Sequence, residues 1–354
     1  MKARVITNLN IRTGSPFLLV NNNPGFYRPG DIIDIKETVV GKNHKNNKVW
    51  YKLQDGSFVW SGGVQVTDQL ELLRATRGID FDESKLLWPI KNFGIQDLWQ
   101  FGAGEGMKIA VLDTGIDLTH PELEGAVIAQ HNFIEDSSDV KDVDGHGTHC
   151  AGIIAAKGLF DVIGVAPKCK LIIAKIMDFG TDGIDPETLQ KALDWTIGKA
   201  DIVSISGGIP KKNQLVEDAV ARVIGNKTPI VAAIGNTLDR NRTSGDYPAV
   251  YSTVISAGAI DINGTLASTT IKEPNLTIVA PGVDIKSTFK NGGYAPDSGS
   301  SMATPFVAGL IALLKTRHKE LTVQEIKAKL ISSAVNQSEN GYSYHVINPK
   351  NLLV

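Results

Sequence analysis

The sequence predicts an α/β fold, a parallel sheet flanked by helices, preceded by a small all-β barrel. Three observations lead there. From Met107 onward, apolar runs rich in β-branched residues alternate with segments of helical period. Those runs do not alternate with polar residues, as strands covered on both faces require. Residues 1–67 instead carry short β-rich runs separated by Gly- and Asn-rich clusters, the pattern of a small antiparallel barrel.

In chain order, the front region reads ARVITN, DIIDIKETVV, KVWYKL, FVW and VQV, broken at NNNPG, GKNHKNN, DGS and SGG. Such clusters supply positive φ or local side-chain bonds that end a strand. Residues 68–87, DQLELLRATRGIDFDESKLL, are charged, with a short apolar stripe at Leu70, Leu72 and Leu73; they read as a linker with helical tendency. Residues 88–354 form the main domain. Its strands are MKIAVLD, KLIIAKIM, DIVSIS, PIVAAIG and TVISAGAI, and helices are expected over 146–156, 186–199, 213–226, 301–316 and 322–335. In such a sheet, functional residues gather at the carboxyl ends of the strands. Asp113 stands there, directly after MKIAVL.

At 354 residues and 42% hydrophobic content, the chain has ample material for a large core. A formal net charge of −2 gives no electrostatic reason to expect nucleic acid or an acidic membrane as partner. No apolar run approaches the ~20 residues of a membrane span, and the opening MKARVITNLNIRTG lacks the apolar core of a signal peptide. The expected location is cytoplasmic, with non-classical export left open. The two cysteines, Cys150 and Cys169, are too few for a disulfide framework and are expected to be unpaired.

Chemistry concentrates in three glycine-flanked motifs. Asp113 lies in VLDTGID, His146 in DGHGTHCAG and Ser301 in GSSMATPFVAG. A carboxylate buried at a strand end can orient an imidazole and stabilise its cation. The imidazole can take a serine proton and return it to a leaving amine. A serine opening a helix has unpaired backbone N–H groups beside it, which favour a developing oxyanion. Pro305 is expected in the first turn of that helix, where proline is tolerated.

Other readings of these residues fare worse. His146 and His149 are spaced i, i+3 without a neighbouring Glu, unlike the i, i+4 zinc-protease motif. No metal is expected there, and His149 reads as a structural histidine. A lone D-T-G also marks aspartic proteases, but no second D-T-G or D-S-G exists. Ala303 stands where a G-x-S-x-G elbow has its second glycine. GAGEG at 102–106 precedes a strand instead of following one, so it is a loop and not a nucleotide cradle.

Three unrelated folds build this triad in three chain orders, and Asp…His…Ser is the order of subtilisins. With these motifs the chain resembles the subtilisin-like serine proteases over roughly residues 88–337. The resemblance implies a serine endopeptidase of a regulated or processing kind, working through an acyl-enzyme on a protein or peptide substrate. Asp113 would be the orienting acid, His146 the general base and Ser301 the nucleophile. It matches Asn236, in VAAIGN, to the side-chain donor of the oxyanion hole. Ser206, Gly207 and Gly208 match a strand whose backbone pairs with substrate, and Gly183 and Ile184 match its partner. Asp246, in SGDYPAVY, falls at the base of the pocket for the residue before the scissile bond. A carboxylate there would favour Lys or Arg; the alternative is that it caps the turn before Tyr247-Pro248.

The front region resembles a bacterial SH3-like domain through LNIRTGSP at 9–16, Pro29-Gly30-Asp31, Trp50-Tyr51, Gly56 and Trp60. That likeness implies a docking module for a peptide or cell-wall ligand, and a packing domain without ligand is equally open. It stands where most secreted subtilisin-like enzymes carry an inhibitory folding propeptide. The short segment KGLFDVIGVAP after the His146 helix lacks the Asn-rich run that holds calcium in well-known members. Calcium is therefore not supported there, other calcium sites are left open, and no cofactor is expected. Ser300 stands where Thr is common. Two rival functions remain in view: a pseudoprotease acting as a binding scaffold, and a cell-wall-docked module. Retention of Asp113, His146, Asn236 and Ser301 together speaks against the first; the second rests on residues 1–67 alone.

Overall fold

The computed structural model describes residues 2–5, 9–11, 25–28, 31–44, 47–60, 64–66, 86–178, 183–237 and 243–353. The chain divides into two compact units, Met1–Asp80 and Phe81–Val354.

The first unit holds strands β1 (Lys2–Val5), β2 (Leu9–Ile11), β3 (Gly25–Tyr27), β4 (Ile32–His44), β5 (Asn47–Leu53), β6 (Phe58–Trp60) and β7 (Val64–Val66). They form an antiparallel sheet in the order β6-β5-β4-β1-β7, with β2 paired to β3. Alternation along β4 places Ile33 and Ile35 with Leu53 and Val59 in a small core. Asp55 sets the turn between β5 and β6: its carboxylate accepts from the Ser57 N–H and hydroxyl at 2.9 and 2.6 Å, and Gly56 takes φ +84°. Of the residues carrying the SH3-like likeness, 12–16, Pro29 and Gly30 lie outside the described residues, as does the expected linker up to residue 85.

The second unit runs α1 (Trp88–Asn92), α2 (Ile95–Leu98), β8 (Lys108–Asp113), β9 (Val127–Asn132), α3 (His146–Ala155), β10 (Lys170–Lys175), α4 (Pro186–Thr196) and β11 (Ile202–Ile205). It continues with α5 (Gln214–Gly225), β12 (Ile230–Ala233), β13 (Ile255–Ile260), β14 (Ile278–Pro281), β15 (Ile285–Phe289) and β16 (Gly293–Asp297). Last come α6 (Ser300–Arg317), α7 (Val323–Ser333), β17 (Val335–Glu339), β18 (Tyr342–Val346) and α8 (Pro349–Leu353). Nine strands form one sheet in the order β17-β18-β14-β13-β12-β11-β8-β10-β9. Every pairing in it is parallel except β17 with β18.

The five expected strands and five expected helices of this unit are present. Strands β11 to β13 are buried at every position, which is why they read as unbroken apolar runs. The expectation omitted β9, an edge strand that is only partly buried, the short buried strand β14, the two hairpins β15–β16 and β17–β18, and the short helices α1, α2 and α8. Side-chain caps start the surface helices: Asp185 for α4, Asn213 for α5, and a Thr322–Glu325 capping box for α7. Helices α3 and α6 are different. They are buried on nearly all sides, α6 from Ser300 to Lys315 apart from Ser301.

Strand order reverses at β8, with β10 and β9 on one side and β11 onward on the other. The carboxyl ends of β8 and β11 therefore open on a crevice of the kind where ligands bind in open α/β sheets. Among the described residues no helix is long and apolar enough to cross a membrane.

Candidate active site

Asp113 closes β8 and is 1% exposed. Its Oδ1 accepts the Thr114 N–H and the Nδ1–H of His146, both at 2.7 Å. With Nδ1 donating to a carboxylate, Nε2 is the basic nitrogen of the ring. Burial disfavours the imidazolium, but the Asp113 charge and then Cys150 outweigh it and hold His146 well above its ordinary value. Glycines make this contact feasible. A Cβ on Gly147 would lie 2.2 Å from the Gly115 carbonyl oxygen, and one on Gly145 (φ +111°) would lie 2.4 Å from the Phe289 ring. The D-T-G and H-G-T-H motifs are thus two sides of one close approach.

Ser301 is the second residue of α6, and its hydroxyl donates to the Ser206 carbonyl at 3.0 Å. The Ser206 hydroxyl donates in return to the Ser301 carbonyl at 2.8 Å, and the Cys150 thiol reaches the same oxygen at 3.6 Å. That carbonyl is available because Pro305, four residues on, has no N–H to offer it. Pro305 occupies the sixth helical position, in the second turn and not the first as expected. The lost helical bond is replaced by donors from β11's end and from α3. Cys150 also lies 3.9 Å from His146 Nδ1, so one thiol touches both motifs.

Asn236 follows β12. Its Oδ1 accepts the Ser300 N–H at 3.1 Å, and the Ser300 hydroxyl accepts the Gly235 N–H at 3.2 Å. The hydroxyl that replaces the commoner threonine is therefore in use. The donor end of the Asn236 amide lies by Gly299, where a Cβ would come within 3.1 Å of Nδ2.

The Ser206–Gly208 segment continues from β11. A Cβ on Gly207 would meet the Ile184 side chain at 3.2 Å and Met177 at 3.4 Å, so Ile184 lies against this segment. Gly183 has φ +108°, and among the described residues nothing lies within 4 Å of where its Cβ would be. Asp246 is buried between two glycines: a Cβ on Gly208 would lie 2.7 Å from its Cβ, and one on Gly235 would lie 3.0 Å from its Oδ2. Paired backbone bonds between Ile209 and Tyr247, at 2.8 and 2.9 Å, tie the Asp246 loop to the Ser206–Gly208 segment.

His149 is buried, and its Nε2–H is shared between the carbonyls of Ile285 and Ala295 at 2.8 and 3.1 Å; burial pulls its pKa down. Among the described residues, Asp113, His146 and Cys150 are the one group of such side chains close enough to share an ion. Both cysteines are free and buried, and burial pushes the thiols up to about 11 for Cys150 and about 12 for Cys169. In the loop after α3, the N–H groups of Leu159, Phe160 and Asp161 donate to the buried Glu122 carboxylate at 2.8, 2.8 and 3.2 Å. These N–H donors converge on the carboxylate and hold the loop to it. Sequence reasoning missed a further buried carboxylate, Asp142, just before the His146 helix. Its signal was the D-V-D-G turn composition.

Residues 104–346 match the model of the subtilase family. The chain is 37% identical over 250 residues to the intracellular serine protease of Paenibacillus polymyxa, covering 67% of this chain and 77% of that protein. It is 34% identical over 264 residues to the major intracellular serine protease of Bacillus subtilis (strain 168), covering 71% and 83%. Against subtilisin BL of Lederbergia lenta it is 36% identical over 249 residues, covering 69% and 90%. A buried Asp–His pair, a serine at a helix N-terminus and likeness over most of the chain agree: the protein belongs to the subtilase family and is a serine endopeptidase.

Proposed function

We propose that Asp113, His146 and Ser301 hydrolyse peptide bonds as a triad, with Asn236 completing the oxyanion hole. The observation that carries this reading is the buried 2.7 Å contact between Asp113 and His146, with Cys150 bridging from His146 to Ser301. An extended peptide adds along Ser206, Gly207 and Gly208, with Gly183 and Ile184 on its other side. Substrate N–H groups compete for the Ser206 carbonyl, which turns the Ser301 hydroxyl toward His146. Ser301 Oγ then attacks the scissile carbonyl carbon as its proton passes to His146 Nε2. The new oxyanion takes hydrogen bonds from Asn236 Nδ2 and from backbone N–H at the start of α6. The C–N bond breaks as His146 protonates the leaving amine, and water activated by His146 hydrolyses the acyl ester. Each proton and charge has a protein partner, so the reading assigns no cofactor, and calcium is not assigned to the Glu122 loop.

The same reading takes residues 88–354 as the peptidase domain, 68–87 as linker, and 1–67 as an SH3-like barrel that docks a peptide or cell-wall ligand. The antiparallel pairing of β1 and β4 to β7 supports the last point. A cytoplasmic location is supported by the names of two relatives, both intracellular serine proteases. Regulated or processing proteolysis is the activity that fits these parts. Asp246 is read as the specificity residue of the substrate pocket.

The test is labelling with a serine-reactive fluorophosphonate. Wild type should label, and Ser301→Ala should stay folded, unlabelled and about 10⁶-fold slower in turnover, the loss that the corresponding change causes in subtilisin itself. A folded wild type that does not label would make the chain a binding scaffold, and activity surviving in Ser301→Ala would overturn the nucleophile.

A further inference from the structure

We propose that Asp142 is a positioning residue for the triad, fixing His146 against Asp113 without touching substrate; this rests on the triad reading above. His146 opens α3 after Gly145, which has no side chain to cap the helix. The exposed N–H groups of the first turn are capped from elsewhere. Asp144 Oδ1 accepts the His146 N–H at 3.1 Å, the Thr114 hydroxyl accepts that of Gly147 at 2.8 Å, and Asp142 Oδ2 accepts that of Thr148 at 2.8 Å.

Asp142 then joins these caps to the catalytic strand. Its Oδ1 accepts the Thr114 hydroxyl at 2.9 Å and the N–H groups of Gly145 and Asp144 at 2.8 and 3.1 Å. Its Oδ2 also accepts the Thr148 hydroxyl at 2.6 Å. One carboxylate, 4% exposed, thus collects five donors. All come from the residue after Asp113, the two residues before His146, or the first turn of its helix. Burial pushes the Asp142 carboxyl up, but the Thr148, Gly145 and Thr114 donors outweigh it and hold it below its ordinary value, so the anion persists.

The link is doubled at Thr114. Its N–H goes to Asp113 and its hydroxyl to Asp142, while its carbonyl accepts the buried Lys175 ammonium at 2.9 Å. The same ammonium reaches the Lys141 carbonyl, beside Asp142, at 3.3 Å. Apart from the Asp113–His146 contact itself, the hydrogen bonds nearest the triad that join the two segments run through Thr114 and Asp142, and a further one, from the Asp117 N–H to the Thr148 hydroxyl at 2.9 Å, lies beyond them. A loosened clamp lets that contact lengthen, and small misplacements of reacting groups cost rate.

Asp142→Asn replaces one acceptor oxygen with an NH₂ that faces donors. We expect kcat to fall about 10–100-fold with KM changed less than about threefold. The acidic limb of kcat/KM should move to lower pH, because a looser Asp113 contact favours the imidazolium less. A purely structural residue would lower the thermal midpoint and leave that limb in place. Thr114→Ser keeps both hydroxyl bonds and should behave as wild type. Thr114→Val keeps the volume, loses both bonds, and should reproduce the limb shift; it carries the test should Asp142→Asn not fold. Folded Asp142→Asn or Thr114→Val enzyme with wild-type kcat and an unmoved limb would refute the proposal. Ser301→Ala in the same assay keeps the two readings apart, since its retained activity would sink the triad itself.

Discussion

Glu122 and Asp142 are both buried carboxylates, both satisfied by backbone N–H groups, and they serve opposite ends of α3. Asp142 binds the turn that carries His146. Glu122 binds the loop that leaves the helix, at Leu159, Phe160 and Asp161, about 15 Å farther along for a ten-residue helix. The physics is the same at both, an anion held by converging dipoles. The consequences differ because of what the donors belong to. Glu122 closes a surface loop whose tip exposes Leu159 and Phe160. Asp142 joins two segments that each carry a residue of the proposed triad. A buried charge therefore acquires a role in chemistry through the segments it joins, and not through its burial.

The largest effect that tests this contrast is at Asp113 itself. Its Oδ1 takes both the Thr114 N–H and His146, while its Oδ2 has no hydrogen-bond partner among the described residues. Asp113→Asn should cost about 10⁴-fold in turnover, the order found for such changes in other Ser-His-Asp enzymes, subtilisin included. The pH dependence gives the sign. The Asp113 charge is the main influence raising His146 above 6.5, so the wild-type acidic limb of kcat/KM should lie above pH 6.5. Removing the charge favours the neutral ring, and the limb should move down. An unmoved limb in the residual activity of Asp113→Asn would mean that Asp113 does not set it.

Glu122→Gln should do the reverse: little change in kcat, but a loss of stability. One oxygen of the Gln amide can still accept, while its NH₂ faces the N–H of Leu159 or those of Phe160 and Asp161. An unmet buried donor costs about 1–3 kcal/mol, which corresponds to a thermal midpoint lower by about 2–12 °C for a unit of this size. A calorimetric scan beside a turnover assay decides it. If Glu122→Gln lowers kcat tenfold while the midpoint holds, the two carboxylates are not distinguished by location and the comparison fails.

Most of the sheet and the three motifs of the proposed triad were legible in the sequence, because each left a local pattern. Buried parallel strands write unbroken apolar runs such as KLIIAKIM, and the three motifs pair a chemical residue with the glycines its close contacts need. What stayed illegible was relational. Asp142 looks like any turn aspartate until the fold brings Thr114 against it, 28 residues away in sequence. Pro305 reads as a helix-start proline, yet its position in the second turn releases the Ser301 carbonyl to Ser206 and Cys150. The edge strand β9 and the β15–β16 and β17–β18 hairpins were missed because exposed or half-exposed strands carry polar residues and lose the core signal, and β14 because four residues ending in proline are too short a run to stand out.

The smallest effect concerns Asp246, a third buried carboxylate whose surroundings differ from both others. Glu122 and Asp142 each collect donors from another segment of the chain, and Asp246 lies beside Gly208 of the proposed substrate strand, with Gly235 on its other side. Glycine at both positions lets these two backbone segments pack directly against Asp246. A confined carboxylate gains by meeting a cation there, the device by which trypsin-type pockets prefer Lys and Arg. Reporter peptides with Lys or Arg before the scissile bond should therefore outpace those with Leu or Phe. Asp246→Asn should erase about tenfold of that preference, about 1.4 kcal/mol, while kcat on Leu peptides holds. The other role for Asp246 is within its own loop, where its carbonyl already accepts the Val250 N–H at 3.1 Å after the Tyr247-Pro248 bond. A wild type that favours Leu or Phe, or a preference untouched by Asp246→Asn, would assign it to that loop and away from the substrate.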